Sequence, residues 1–133
     1  MRRALTLLMG SVLLSVSAQA APTPERKLER AIEGRVAGEP VDCISLRNVS
    51  SSQVIPGVGI VYDSGRTVYV NRPRSGAESL SNWDMLVTRT HSNHLCSTDV
   101  VELRSRSTPQ MMTGLVFLGD FVPYRKVQSA TRN

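Results

Sequence analysis

The spacing of apolar residues changes twice along the chain, and each change predicts a different kind of element. Residues 4–16 form a nearly unbroken apolar run directly after two arginines. Residues 23–34 carry apolar side chains three and four positions apart, which is the period of an amphipathic helix. From residue 41 onward the apolar period shortens to that of a strand. The pattern therefore predicts an apolar leader, one short helix and then a β domain.

The predicted helix has a start signal and one apolar face. Thr23 is a residue type that caps helices, and Pro24 suits the first helical position. Leu28, Ala31 and Ile32 then fall on the same face. A helix of about ten residues is too short to be stable alone in water, so we expect this one to pack on a sheet.

The β part of the chain consists of short runs rich in Val, Ile, Thr and Tyr, separated by Gly, Pro, Asn and Ser. These runs predict six strands, near residues 41–48, 58–63, 66–71, 85–90, 99–105 and 112–118. Residues 63–66 (DSGR) predict a tight hairpin turn between the second strand and the third. The expected fold is mainly β: a small antiparallel barrel or sandwich of about six strands with one short N-terminal amphipathic helix.

Two of the predicted strands differ in how many of their faces are apolar. In the fifth, Val101 and Leu103 alternate with Glu102 and Arg104, which predicts one buried face and one wet face. The sixth contains residues 115–118 (LVFL), which are apolar on both faces. This sixth run is a candidate central strand or barrel stave.

The first twenty residues have the pattern of a secretory signal peptide. Arg2 and Arg3 precede the apolar run, and residues 18–20 (AQA) form a cleavage site before Ala21. The alternative is an uncleaved membrane anchor, but the run falls short of the roughly 18 to 20 residues that span a bilayer. We expect a periplasmic or secreted protein without a stable membrane anchor after cleavage.

Removing the leader changes both the length and the charge of the chain. The remaining 113 residues suit one domain: a lead and short helix at 21–40, a β domain at 41–126 and a disordered tail at 127–133. The full chain has a net charge of +5, and fourteen basic and eleven acidic residues outside the leader leave +3. This mild excess argues against a dedicated polyanion binder, and the export signal argues against nucleic acid as a partner.

Cys43 and Cys96 are the two cysteines of the chain. An even count in an exported chain predicts one disulfide bond. The alternative, a redox-active or catalytic thiol, lacks a neighbouring Cys-x-x-Cys motif.

One loop holds the best local candidates for ligand binding, Arg72, Arg74 and Trp83. The two arginines flank Pro73, an arrangement suited to holding one phosphate or carboxylate. The alternative is an ordinary solvated connection, which we favour. Trp83 suits stacking on a sugar or base, whereas the favoured alternative has it closing one end of the core with its indole N–H bound to a carbonyl.

His91, His94 and Cys96 form a His-x-x-His-x-Cys pattern that weakly suggests zinc or copper. A disulfide takes Cys96 out of this set, so a polar loop is the favoured interpretation and no cofactor is predicted. No Gly-x-Ser-x-Gly elbow or glycine-rich dinucleotide motif occurs in the sequence, which favours a protein that is not an enzyme.

Three segments carry a resemblance: residues 68–77 (VYVNRPRSGA), 95–99 (LCSTD) and 118–124 (LGDFVPY). Through them the chain resembles small exported proteins of Gram-negative bacteria that have no assigned function. The likeness covers roughly residues 41–125. It implies a periplasmic setting and a Cys43–Cys96 pairing, and it implies no activity.

Three functional hypotheses remain. The first is a non-enzymatic module that binds an anionic envelope component or an envelope protein through Arg72, Arg74 and Trp83. The second is a metal-binding protein or enzyme centred on His91 and His94. The third is a structural accessory that joins an envelope complex through its sheet edge.

Overall fold

A computed structural model describes residues 17–128 of the chain. Residues 1–16, which make up most of the predicted signal peptide, lie outside the described residues, as do residues 129–133 of the predicted disordered tail. Across residues 17–128, no helix has the length and apolar character needed to cross a membrane.

The described chain is mainly β, as predicted, with one α-helix. The helix α1 lies at Pro24–Ala31, within the predicted helical segment rather than at the chain terminus, and the Thr23 side chain accepts from Arg26 N–H. The strands are β1 (Arg35–Ala37), β2 (Cys43–Ser45), β3 (Ser51–Ile55), β4 (Gly59–Asp63), β5 (Thr67–Asn71), β6 (Asp84–Thr88), β7 (His94–Cys96), β8 (Val100–Ser105), β9 (Met112–Phe117) and β10 (Phe121–Lys126). Short 3-10 turns lie at Leu46–Asn48 and Ala77–Ser79.

The strands form three open antiparallel sheets. A five-stranded sheet has the order β1-β10-β5-β4-β3, a three-stranded sheet the order β6-β8-β9, and β2 pairs with β7 alone. The choice between barrel and sandwich stays a prediction. The proposed central position of residues 115–118 is wrong, because β9 lies at one side of its sheet and pairs with β8 alone among the named strands. The backbone of Arg74 and Ser75 bonds to Phe117 on the other side of β9.

The hairpin predicted at residues 63–66 joins β4 and β5. Ser64 N–H donates to the Thr67 carbonyl at 2.9 Å, and Gly65 N–H donates to the Asp63 carboxylate at 2.7 Å. Gly65 has a φ of +77°, a conformation that a residue with a Cβ adopts only with strain. The local sequence therefore determines this turn.

One core fills the space between the sheets. The alternation predicted for β8 is confirmed: Val101 and Leu103 are fully buried, whereas Glu102 and Arg104 lie on the opposite face. The same core contains side chains from five other strands and from the segments that connect them: Ile44, Ile60, Tyr62, Leu80, Leu95, Val116, Leu118 and Phe121.

A second apolar cluster lies on the other face of the five-stranded sheet, where α1 packs. Leu28 of α1 is 7% exposed and contacts a layer made by Ile55, Val61, Val68 and Val70. Both faces of this sheet are therefore covered. Burial of Leu28 explains how such a short helix is stable here.

The predicted disulfide bond is present and joins the two strands of the smallest pair. Cys43 of β2 stands directly opposite Cys96 of β7, with 4.0 Å between the Cα atoms. The bond links the segment that leads into β3 to the segment that connects β6 with β8. It therefore connects the five-stranded sheet to the three-stranded sheet.

A buried asparagine joins β5 to the turn between β9 and β10. Asn71 is fully buried, and its amide nitrogen donates to the Gly119 carbonyl at 2.6 Å. Its amide oxygen accepts from Gly119 N–H at 3.1 Å. The β5–β10 ladder ends at the pair Asn71–Phe121, and the Asn71 side chain extends the hydrogen bonding to Gly119, just before β10.

Candidate functional site

The outer face of the three-stranded sheet is an uncovered apolar surface. Successive residues of a strand point to opposite faces. Because Val101 and Leu103 of β8 point into the core, Val100, Glu102 and Arg104 point outward, as do their partners on β9. Val100 pairs with Phe117, Glu102 with Leu115, and Arg104 with Met112 across a β-bulge. Trp83 extends the same face by one residue, because its carbonyl accepts from Arg106 N–H in continuation of the β6–β8 ladder. We call this surface the open face: Trp83, Val100, Glu102, Arg104, Met112, Leu115 and Phe117.

The apolar members of the open face are strongly exposed. Trp83 is 80% exposed, Met112 54%, Phe117 42%, Leu115 40% and Val100 36%. A fully exposed tryptophan alone presents on the order of 200 Å² of surface. Large contiguous apolar patches on a small domain mark places where another surface binds.

The charges on and beside the open face are mostly positive. Glu102 accepts from Arg104 at 2.8 Å and lies 3.4 Å from Arg89. The hydrogen bond from Arg104, assisted by the charge of Arg89, lowers the pKa of Glu102. Arg106 lies beside Trp83 across the strand pair. Three arginines thus accompany one carboxylate, and the net charge of this region is positive.

A slot separates the edges of β3 and β6. It encloses about 380 Å³ and is lined by Ser52, Gln53, Val54, Asn82, Asp84, Met85, Leu86 and Arg106. Asn82 closes one end: with its amide nitrogen towards β3 it donates to the Val54 carbonyl at 3.3 Å, and its oxygen accepts from Lys27 of α1 at 3.3 Å.

A second positive surface lies at one end of the five-stranded sheet. We call it the basic cluster: Arg35, Arg66, Arg125 and Lys126. The guanidinium of Arg35 donates to the carbonyls of Arg66 and Gly65 at 2.9 and 3.3 Å. Arg125 donates to the Thr67 hydroxyl at 3.4 Å. Within residues 17–128, none of the four cluster members forms an ion pair with a carboxylate.

Arg72 and Arg74, the predicted anion-binding pair, have different environments. Arg74 donates through Nε to the Leu118 carbonyl at 2.8 Å and through Nη2 to the Ser97 carbonyl at 3.2 Å. These bonds attach the loop that follows β5 to the segment directly after β9 and to Ser97, so the guanidinium of Arg74 has a structural role. Arg72 is exposed, and neither arginine lines the slot.

Trp83 does not close the core, so the favoured interpretation of this residue is wrong. Its exposure of 80% places the indole in solvent, next to the slot residues Asn82 and Asp84 in sequence. The strand alternation explains the error, because Asp84 and Leu86 occupy the inward positions that the tryptophan was expected to fill. Stacking or docking through Trp83 stays a prediction.

His91 and His94 are both exposed, one in a loop and the other at the start of β7. The metal hypothesis required a free thiol at Cys96, but Cys96 is in the disulfide bond. Across the described part of the chain, no group of three His, Cys, Asp or Glu side chains is arranged to hold a metal ion.

Sequence reasoning missed the slot. Asp84 and Arg106 are 22 residues apart and meet only because β6 pairs with β8. The only local signal was the polar-aromatic-acidic run at residues 82–84 (NWD), directly before a strand.

The chain was compared with protein-family models, with curated proteins and with solved structures, and none of them matches it. The fold and the surfaces described above are therefore the basis for any functional conclusion.

Proposed function

We propose that this chain is an exported, disulfide-linked binding module without enzymatic activity, and that it docks reversibly on an anionic membrane surface of the cell envelope. The observation that carries the proposal is Trp83, which is 80% exposed on an apolar sheet face. Tryptophan side chains favour the boundary between lipid and water, where an apolar ring and a polar N–H are both accommodated.

The charges around the open face support an anionic surface. Arg89, Arg104 and Arg106 outnumber Glu102, which already has arginine partners. A basic residue near an anionic bilayer contributes about 1 kcal/mol of attraction. Apolar contact and charge attraction together give the reversible binding of a peripheral protein.

The surroundings of the face favour an external partner. Residues 20–22 lie beside Arg26 and Arg30 of α1, and Gln128 lies beside Arg66 and Arg125. Residues 20–22 and Gln128 thus lie against the helix and the five-stranded sheet, respectively.

Tryptophan fluorescence tests the proposal directly, because Trp83 is the only tryptophan in the sequence. The purified, disulfide-bonded protein is mixed with vesicles of phosphatidylglycerol and phosphatidylcholine, and separately with vesicles of phosphatidylcholine alone. We expect the emission of Trp83 to shift to shorter wavelength with the anionic vesicles. An unchanged emission with both kinds of vesicle would overturn the proposal.

Co-sedimentation of variants assigns the binding to one surface. Trp83→Ala is expected to weaken vesicle binding about tenfold, because it removes one large apolar contact. Arg30→Ala on α1 removes a charge outside the open face and serves as the control.

The basic cluster is the competing surface for the same class of ligand, since its four cations lack carboxylate partners among residues 17–128. The double variant Arg66→Ala/Arg125→Ala removes two of them. If it abolishes vesicle binding while Trp83→Ala leaves binding intact, the basic cluster replaces the open face as the docking surface.

The export part of the proposal rests on the predicted leader, and the disulfide bond is compatible with it. Intact mass of the protein recovered from the periplasmic fraction is expected to correspond to a chain that begins at Ala21. A mass that includes residues 1–20 would contradict export by cleavage.

A further inference from the structure

We infer that the slot between β3 and β6 is a binding site for a free α-amino acid, with Asp84 holding the ammonium group and Arg106 the carboxylate. The slot shares Arg106 with the border of the open face, but the proposal does not depend on vesicle docking, because it is tested with free amino acids and without vesicles. Its basis is a pair of opposite charges that line one slot without pairing with each other.

The carboxylate of Asp84 is the first half of the pair. Asp84 is only 6% exposed and lines the slot. Its carboxylate oxygens make no hydrogen bond or ion pair with any of the residues from 17 to 128, although its backbone N–H bonds to Ser81. The carboxylate oxygens are reached through the slot rather than sealed in the interior, so a donor group that enters the slot can bind them.

The guanidinium of Arg106 is the second half. Its Nε donates to the backbone carbonyl of Asp84 at 3.3 Å, which holds the guanidinium at the slot. Its terminal nitrogens bond to no atom of residues 17–128, and no ion pair joins Arg106 to the Asp84 carboxylate. The two free nitrogens have the geometry of a fork that binds a carboxylate.

The rest of the slot fits the remaining parts of an amino acid. Val54, Met85 and Leu86 provide apolar surface for a side chain of moderate size. Asn82 and Gln53 add amide groups at the rim. A volume of about 380 Å³ is at the lower end of the range for small-molecule sites, as expected for a ligand of this size.

Three related probes separate recognition of a zwitterion from general charge attraction. L-leucine carries both charges, L-leucinamide lacks the carboxylate, and N-acetyl-L-leucine lacks the ammonium. Calorimetric titration of the full chain, with its disulfide intact, is expected to show binding of L-leucine. Each blocked probe should bind about tenfold more weakly or worse, because it loses one charge-assisted contact.

Two variants test the residues. Asp84→Asn keeps the shape of the side chain and is expected to weaken L-leucine binding about tenfold or more, as is Arg106→Gln. Arg106 is exposed, so its variant tests the site even if Asp84→Asn disturbs folding. Arg104→Gln, two residues away on the open face, is the matched control and should bind L-leucine normally.

Several outcomes would overturn the inference. L-leucine that fails to bind the native protein would do so, as would L-leucinamide or N-acetyl-L-leucine binding as tightly as L-leucine. Unchanged L-leucine binding by Arg106→Gln would show that the carboxylate is held elsewhere, and the proposed site would then be wrong.

Discussion

The five-stranded and three-stranded sheets share one core but differ on their outer faces. The larger sheet is covered by α1, with Leu28 packed against the layer around Val61. The smaller sheet has no such cover among residues 17–128, and Trp83 and Phe117 stand exposed on it. An apolar face that is covered contributes to folding, whereas one left open is available for binding.

The difference is encoded in the order of elements along the chain. The helix precedes β1, which pairs with β10 and so brings the start of the described chain onto the larger sheet. The segments that precede and follow β6 contain a 3-10 turn, β7 and Cys96 of the disulfide bond instead of a second covering helix. Four experiments test this contrast, beginning with the largest expected effect.

The disulfide bond between Cys43 and Cys96 connects the two sheets, and its loss should have the largest effect. The bond closes a loop with a sequence separation of 53 residues. For the double variant Cys43→Ser/Cys96→Ser we expect a loss of about 4 kcal/mol in the free energy of unfolding, from the greater freedom of the unfolded chain. Because one core joins the sheets, denaturant unfolding should remain a single transition. Two transitions would show that the sheets unfold independently.

Truncating one leucine on each outer face compares the covered surface with the open one. Leu28→Ala is expected to cost about 2 to 4 kcal/mol, because it removes a buried contact beneath α1. Leu115→Ala, at 40% exposure, should change the free energy of unfolding by less than about 0.5 kcal/mol. Equal losses in urea denaturation would contradict the contrast, since they would mean that the open face is covered in solution.

Tyr62 tests the shared core. Its hydroxyl is buried without a hydrogen-bond partner among residues 17–128, and its ring packs edge-on against Phe121 at a centroid distance of 5.8 Å. Tyr62→Phe should therefore leave stability unchanged or raise it by about 1 kcal/mol, with Tyr69→Phe on the neighbouring strand as the control. A loss above that size would reveal a partner for the hydroxyl.

The pH dependence of Tyr62 gives a second readout. Burial raises the pKa of Tyr62 above its usual value in the folded state. The unfolded chain then releases this proton at lower pH than the folded chain does. The contribution of Tyr62 to stability is therefore present below about pH 10 and declines above it. Tyr62→Phe should remove this part of the alkaline decline.

Glu102 on the open face should give the smallest effect. Its pKa is lowered by Arg104 and Arg89, so its ion pairs stabilise the fold above the unfolded pKa of about 4.3. This contribution is lost as the pH falls through the lower pKa of the folded state. The difference in the free energy of unfolding between the native protein and Glu102→Gln should shrink as the pH falls from about 5 to about 3. A difference that does not vary with pH would show that the ion pairs do not contribute.

Local signals in the sequence predicted the elements that depend on nearby residues. The helix start at Thr23 and the hairpin turn around Gly65 were both found, because each depends on contacts within a few residues. Strand β3 was missed because residues 51–53 are polar and lie on an exposed edge. Strand β10 was missed because Pro123 interrupts its pattern, although Pro123 lies in the ladder opposite Tyr69.

The surfaces were harder to predict than the strands, because they depend on which strand lies beside which. Trp83 was identified as a candidate, but its exposure follows from the inward position of its neighbour Asp84. Arg74 has the residue type of an anion-binding group, yet two backbone carbonyls occupy it. The meeting of Asp84 and Arg106 required the register of β6 against β8, which no spacing in the sequence indicates.

The buried amide of Asn71 limits which amino acids position 71 can tolerate. Gly119 presents one donor and one acceptor to this side chain, so position 71 requires a group that offers both at a fixed distance. Aspartate, leucine and serine each lack part of that requirement. In a library that samples every amino acid at every site, we expect position 71 to tolerate almost no replacement, whereas the adjacent and exposed Arg72 accepts many.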